Sequence, residues 1–405
     1  MGLFDGLAAF AARSVLKSSL DGYCRLVTTE DEHSFVSDDG SLSSVFALDG
    51  FRSIPGGPEV SVAVEHLRIA LSAYLSTPGH SIQLWFGHAP DLAKSDIETI
   101  VRTTGKTAAD SGLDLVDLLS ERRAILPKKL SGERSYLVLW SRPSLMSKAE
   151  RKDDTAELRE TLKSRKPATS AQQPGIGFQS LLTRHVSVGD ALVREFSNTG
   201  IVLERLTTHE ALSVMRGVIN PDFMAEGRAW KGVLPGDKVR ARMPANDREL
   251  RRGDISNLLW PIISRQLMTD HCEVIDQHTV EIGNHVASGF DITLGPEIVV
   301  EFNALIRRIL EAEDKIAWRC SMSFDSGGFQ GQVFKEQYAG LFTWTAAISN
   351  GRIRRAFEQL RQWDGAGDTV IRWRASFAAW APKDEVKALR RHVSTLRRTV
   401  ERWGN

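Results

Sequence analysis

The sequence predicts an α/β (α+β) chain with two sheet-containing subdomains, covering helices and a heptad-patterned C-terminal helix. Three observations predict it. Stretches of apolar period two alternate along the chain with stretches of period 3–4. A charged segment followed by small and turn residues, 145–175, divides them into two groups. At 405 residues the chain exceeds what one core usually organises. The expected division is an amphipathic helix at 1–22, a first subdomain at 23–144, a charged helix and linker at 145–175, a second subdomain at 176–382 and a basic helix at 383–405.

The elements follow in order. Leu3, Phe4, Leu7, Ala8, Ala11, Val15 and Leu16 recur at helical spacing, which predicts an amphipathic N-terminal helix. Docking on the protein's own body and lying on a membrane surface are both open to such a helix, and its few basic residues weigh against the membrane. Residues 23–36 and 41–51 read as two strands joined by the hairpin turn Ser37-Asp38-Asp39-Gly40. Val60, Val64, Leu67, Leu71 and Leu75 predict a helix stopped by Thr77-Pro78-Gly79. A strand at 80–88, helices at 91–104 and 110–125, and a nearly all-apolar, central strand at 135–141 complete the first group. In the second, helices are expected at 179–196 and 207–219, a basic loop at 221–256 and a strand-rich stretch with glycine turns at 271–295. A helix at 299–313, strand 316–324, a long helix at 332–362, strand 368–381 and helix 383–403 follow. No repeat of solenoid length is present.

Composition excludes several classes. A net charge of +1 leaves no overall nucleic-acid coat, so any basic surface is local. Cys24, Cys272 and Cys320 are odd in number and far apart, which gives no disulfide framework. No apolar run approaches the roughly 20 residues that span a bilayer. Gly6 stands where a myristoylation motif needs Ser or Thr.

Gly105-Lys106-Thr107 copies the end of a phosphate-binding loop, but Ile100 stands where the first glycine belongs and the preceding residues look helical. Gly105 therefore reads as a helix C-cap. Asp270-His271-Cys272-Glu273-Val274-Ile275-Asp276-Gln277-His278 is the densest set of metal-capable side chains. It lacks the compact repeat of a zinc site and alternates as a half-buried strand through Ile282. The remaining histidines are scattered, none beside a nucleophile elbow. No catalytic, cofactor-binding or metal residue is assigned.

Charge concentrates at the end: residues 351–405 hold 13 Lys/Arg against 6 Asp/Glu. Val386, Leu389, Val393, Leu396, Val400 and Trp403 step 3, 4, 3, 4, 3 as a heptad seam. Arg390, Arg391, Arg397, Arg398 and Arg402 flank it. Packing on the chain's own domain or on a neighbouring segment is open to such a seam; the seam with Leu3, Phe4 and Leu7 also supplies the candidate interaction elements. The arginines are a candidate basic patch for nucleic acid.

Several ordered segments resemble one family. "DDGSLSSVFALDGFRSIPG" (38–56), "GHSIQLWFGHAPD" (79–91), "YLVLWSRPSLMSKAE" (136–150) and the stretch 280–328 are similar to the large type IV secretion and conjugative-transfer ATPases, the IcmB/DotO and plasmid TraU branch. The resemblance implies a cytoplasmic protein peripheral to the inner face of the bacterial inner membrane. It implies ring-like self-association, hexameric in several systems, contacts with inner-membrane channel subunits and a second ATPase, and a motor domain using ATP and Mg. This chain carries no phosphate loop, so ATP and Mg belong to a motor that would begin past Asn405. The resemblance makes the chain a docking and oligomerisation region rather than an enzyme, from a truncated or a stand-alone protein. A nucleic-acid-binding module and a stand-alone accessory subunit are the rival expectations.

Overall fold

The computed structural model describes residues 24–164, 178–220, 232–235, 237, 262–268, 270–292, 302–312, 317–326 and 371–403. The expected N-terminal helix with Leu3, Phe4 and Leu7, the linker at 165–175, nearly all of the loop at 221–256 and the helix at 332–362 lie outside the described residues. The strands are β1 (Leu26–Thr29), β2 (Phe35–Ser37), β3 (Leu42–Phe51), β4 (His80–Ala89), β5 (Gly132–Ser141), β6 (Ile201–Arg205), β7 (Cys272–Val274), β8 (Val280–Ile282), β9 (His285–Ile292), β10 (Ala317–Asp325) and β11 (Arg372–Pro382). The helices are α1 (Gly57–Ser76), α2 (Pro90–Asp110), α3 (Val116–Ile125), α4 (Lys148–Ser164), α5 (Gln179–Asn198), α6 (Thr208–Ile219), α7 (Ile263–Leu267), α8 (Phe302–Ala312) and α9 (Val386–Glu401).

The mixed α and β content is as expected, but one sheet replaces the two. Its order is β1-β2-β3-β5-β4-β10-β11-β9-β8-β7, with β6 also on β3, and neighbouring strands are antiparallel. The joint is β4 against β10, paired from Trp318↔His88 to Asp325↔Ser81. Across the joint Phe324 lies opposite Ile82, Met322 opposite Leu84 and Cys320 opposite Phe86, all on one face, so the core clusters of the two halves adjoin. As expected, β5 is interior, between β3 and β4.

Read outward from the central pair, the two halves have the same order: β4-β5-β3-β2-β1 and β10-β11-β9-β8-β7. Each half runs through a three-strand meander, a helix (α1 or α8), a central strand, an intervening segment and a second strand. Each then makes one 3₁₀ turn before a further helix. When Trp140 is aligned with Trp380, buried Leu137, Leu139 and Ser141 fall on buried Phe377, Ala379 and Ala381. The chain is thus a topological duplication.

Helices cover both faces. On one, α1 and α5 pack on Phe46, Ile82, Leu137 and Leu139, while α8 and α9 pack on Val286, Trp318, Phe377 and Ala379. On the other, α6 and α7 cover Val45, Tyr136, Val138 and Trp140. Among the described residues Trp318 is the largest side chain fully inside, against Phe86 at 5.2 Å and Phe377 at 6.3 Å between ring centroids. α5 reaches the sheet with a stripe of Leu181, His185, Leu192 and Phe196. A side chain at Gly189 on that helix would collide with the Arg205 guanidinium, which lies over the Phe46 ring.

Four local expectations change. The strand expected at 23–36 is β1 and β2, separated by a turn closed by Glu30 N–H to Ser34 O and by an Asp31 cap on the His33 amide. Ile201–Arg205, with no expected element, is β6; at five residues it is too short to show a period. The helix expected to stop at 104 runs through Gly105-Lys106-Thr107 to Asp110, and Gly112, at φ +68°, takes the left-handed position after it. The single alternation expected over 272–282 is a hairpin, β7 and β8, turned by Asp276, which accepts from the His278 amide.

Candidate functional site

The C-terminal seam is the first correction. Leu389, Leu396 and Val400 are buried against the chain's own sheet, with Val386, Val393 and Trp403 packed beside them. Leu389 has no exposed surface. The 3–4 spacing therefore fits α9 onto β9, β11 and α8 instead of onto a partner. Trp403 meets Phe302 of α8 edge-on at 5.7 Å. The seam cannot serve as an exposed contact surface. The flanking arginines Arg390, Arg391, Arg397, Arg398 and Arg402 are all exposed on the outer side.

Gly105-Lys106-Thr107 lies within a helix, where the backbone N–H groups bond along the axis and cannot converge on a phosphate. Thr107 Oγ1 donates back to Thr103 O. The 270–278 cluster is likewise dispersed: Asp276 pairs with Arg390 at 2.5 Å. Among the described residues no group of three or more His, Cys, Asp or Glu could hold a metal.

One polar constellation escaped sequence reasoning, because its members lie on three strands, a helix and the turn between β1 and β2. Ser44 Oγ donates to His33 O at 2.8 Å and stands 2.9 Å from His185 Nε2. His185 Nδ1 is 2.8 Å from Ser141 Oγ, which is 3.3 Å from His80 Nδ1. Since Ser44 spends its proton on His33 O, the donors assign His185 as the neutral Nε2–H tautomer, with Ser141 donating to Nδ1. Burial, joined by the nearby Arg205 guanidinium, drives the His185 imidazole down to about 4. Burial also lowers His80. A Ser–His pair is nucleophile chemistry only if substrate can reach it. His185 is 1% exposed and Ser44 2%. The network pins α5 to the sheet.

The exposed apolar surface lies elsewhere, on α1. Its outer surface is apolar: Val62 is 70% exposed, Val64 60% and Ile69 59%, after a fully exposed Ile54, while Ala63 is buried and His66 pairs with Glu195 of α5 at 2.8 Å. Apolar residues therefore point out on more than one side, whereas a solvated helix is polar outward. The later turns of α1 lower Leu67, Leu71 and Leu75 toward the sheet. Together with Leu48, Phe51, Ile82, Phe196, Phe324 and Ile371 they line an apolar groove of about 780 Å³. Arg68 and Ser72 are the groove's polar side chains, and Arg68 is held by Glu65 at 2.6 Å. The α2–α3 pair buries Ala93, Ile97, Val101 and Leu119 between its helices and leaves Ile100, Val116 and Leu118 outside. Apolar patches of this kind mark surfaces that meet another protein. The 3–4 spacing of Val60 to Leu75 was the available signal, but exposed Val62 and Ile69 lie off that series and Val64, on it, is exposed as well.

No protein-family model and no curated protein matches this chain. Among the described residues no helix is long and apolar enough to cross a membrane.

Proposed function

We propose that this chain is a docking and assembly module of a type IV secretion or conjugative-transfer ATPase, linking a motor to inner-membrane channel subunits and to sister copies. The observation that carries the reading is the apolar outer surface of α1, with Val62, Val64 and Ile69 exposed beside an apolar groove. A helix-sized apolar groove beside an exposed apolar helix surface suits helix-in-groove recognition. The ordered sequence resemblance supplies the system, and the helical setting of Lys106 fits a chain whose nucleotide chemistry is carried by another domain. In this reading the module works at the inner face of the bacterial inner membrane, and ATP and Mg act in the motor.

The test is co-purification from detergent extracts of cells that carry the whole transfer apparatus, comparing wild type with Val62→Lys/Ile69→Lys. Both positions are exposed, so the fold should tolerate the change. The expected result is that channel subunits accompany the wild type and leave the variant. Equal recovery with both, or none with the wild type, overturns the reading.

A further inference from the structure

The two helices that close the second half of the sheet come from distant parts of the chain, and both present arginine outward. α8 exposes Arg307 and Arg308; α9 and its C-cap expose Lys387, Arg390, Arg391, Arg397, Arg398 and Arg402. Against these eight cations the same two helices and their caps carry three carboxylates, Glu311, Glu401 and the α9 N-cap Glu385, with Asp384 in the turn before it. The whole chain has a net charge of only +1, so the excess is gathered on one layer. The layer is built: Arg308 Nη1 donates to the Arg402 carbonyl at 3.2 Å, and the apolar sides of both helices share one core. Arg390 is engaged by Asp276 and Arg397 by Glu401. Arg307, Arg391, Arg398 and Arg402 form no ion pair among the described residues.

We infer that this α8–α9 face holds the phosphodiester backbone of a nucleic acid, without reading its sequence. Three observations favour that occupant. Seven of the eight cations are arginine, whose planar fork matches phosphate oxygens. Arg391 and Arg398 lie seven residues apart, about 10 Å along the helix, so a linear polyanion can engage them in succession. No large apolar side chain of either helix is exposed. A membrane-surface helix needs such residues to enter the lipid, and these helices spend theirs on the core.

The test is an anisotropy titration of the intact chain with a labelled duplex and a labelled single strand of arbitrary sequence, at two salt concentrations. About four phosphate contacts predict a roughly 100-fold loss of affinity between 50 and 200 mM salt. The triple variant Arg391→Gln/Arg398→Gln/Arg402→Gln, which leaves the seam intact, should flatten the log–log salt slope by about 2.7. A control triple on α4, Lys148→Gln/Lys152→Gln/Lys163→Gln, removes the same charge from exposed positions elsewhere and should leave binding unchanged. Vesicles with and without phosphatidylserine are titrated in parallel. The inference is overturned by salt-insensitive or absent binding, by equal losses in the two triples, or by anionic vesicles binding while both nucleic acids do not.

Discussion

His185 Nδ1 and Ser141 Oγ lie 2.8 Å apart in a part of the core closed to water, so a helix is tied to a central strand through a neutral imidazole. Its lowered pKa makes that tie sensitive to acid. In the unfolded chain the ring titrates near 6.5, and in the fold at about 4. Between those values the unfolded state binds more protons, so stability is complete above about pH 6.5 and declines as pH falls toward 4. The loss reaches about 3 kcal/mol for this group. Urea titrations at pH 7.5, 5.5 and 4.5 check it. His185→Leu should remove this component of the pH dependence, and His185→Ala should cost about 2–4 kcal/mol at pH 7.5 by leaving a cavity and an orphaned Ser141 hydroxyl. A wild-type protein as stable at pH 4.5 as its leucine variant's own trend allows would sink the assignment.

The inward seam of α9 makes a second prediction. Leu396 is buried beside Val400, whereas Arg398 is exposed on the same helix. Leu396→Ala should destabilise by about 2–4 kcal/mol, and Arg398→Gln should stay within about 0.5 kcal/mol. Neither should alter the mass measured by sedimentation. If Leu396→Ala instead halved the particle mass with no loss of stability, the seam would join subunits.

Two glycines separate a helix interior from a helix end. At Gly105 an added Cβ would meet Leu119 Cδ1 at 3.5 Å, an ordinary contact, and the helix continues for five residues beyond. Gly105→Ala should therefore stabilise the chain by about 0.5–1 kcal/mol. Gly112 has φ +68°, so Gly112→Ala should destabilise by about 1 kcal/mol. Thermal melts of the two variants should move in opposite directions; a destabilised Gly105→Ala would return that residue to the helix end.

Much of the element order was legible because burial imposes periods. Leu137 and Leu139 on β5, or Leu389 and Leu396 on α9, repeat at the spacing their element dictates. What partners each element was not legible. β10 looks like a strand by itself, but nothing local in it specifies β4, more than two hundred residues earlier, as its neighbour. The duplication was hidden for a related reason: the halves share which positions are buried, not which residues fill them, so Leu139 corresponds to Ala379. The α9 seam shows the same limit, since a 3–4 stripe states that a face is covered and leaves open what covers it. His33, Ser44, His80, Ser141 and His185 looked like scattered polar residues because only the fold brings them within hydrogen-bond reach.

The joint between the halves is where one carboxylate has the most to hold. Asp325 ends β10 and accepts from Ser81 Oγ on β4 at 2.6 Å, from Arg142 just past β5 at 2.9 Å and from Arg374 on β11 at 3.1 Å. Burial raises its pKa, but the Ser81 and Arg142 hydrogen bonds and both guanidinium charges outweigh burial and hold it below the usual carboxylate value. Its contribution is therefore present above the unfolded-state value near 3.8 and is lost as pH falls through the lower folded-state value. Asp325→Asn keeps the shape and removes the charge, leaving two guanidinium groups facing a neutral amide. A loss of about 2 kcal/mol at pH 7 is expected. Arg374 is the more exposed partner, so Arg374→Gln should cost much less, about 0.5 kcal/mol. Hydrogen exchange locates the damage: in Asp325→Asn the amides of Ser81–Gln83 and Ser323–Asp325 should lose protection ahead of those in β3 and β9. Uniform loss of protection across the sheet would show that Asp325 stabilises the fold as a whole and is not the fastener between its two halves.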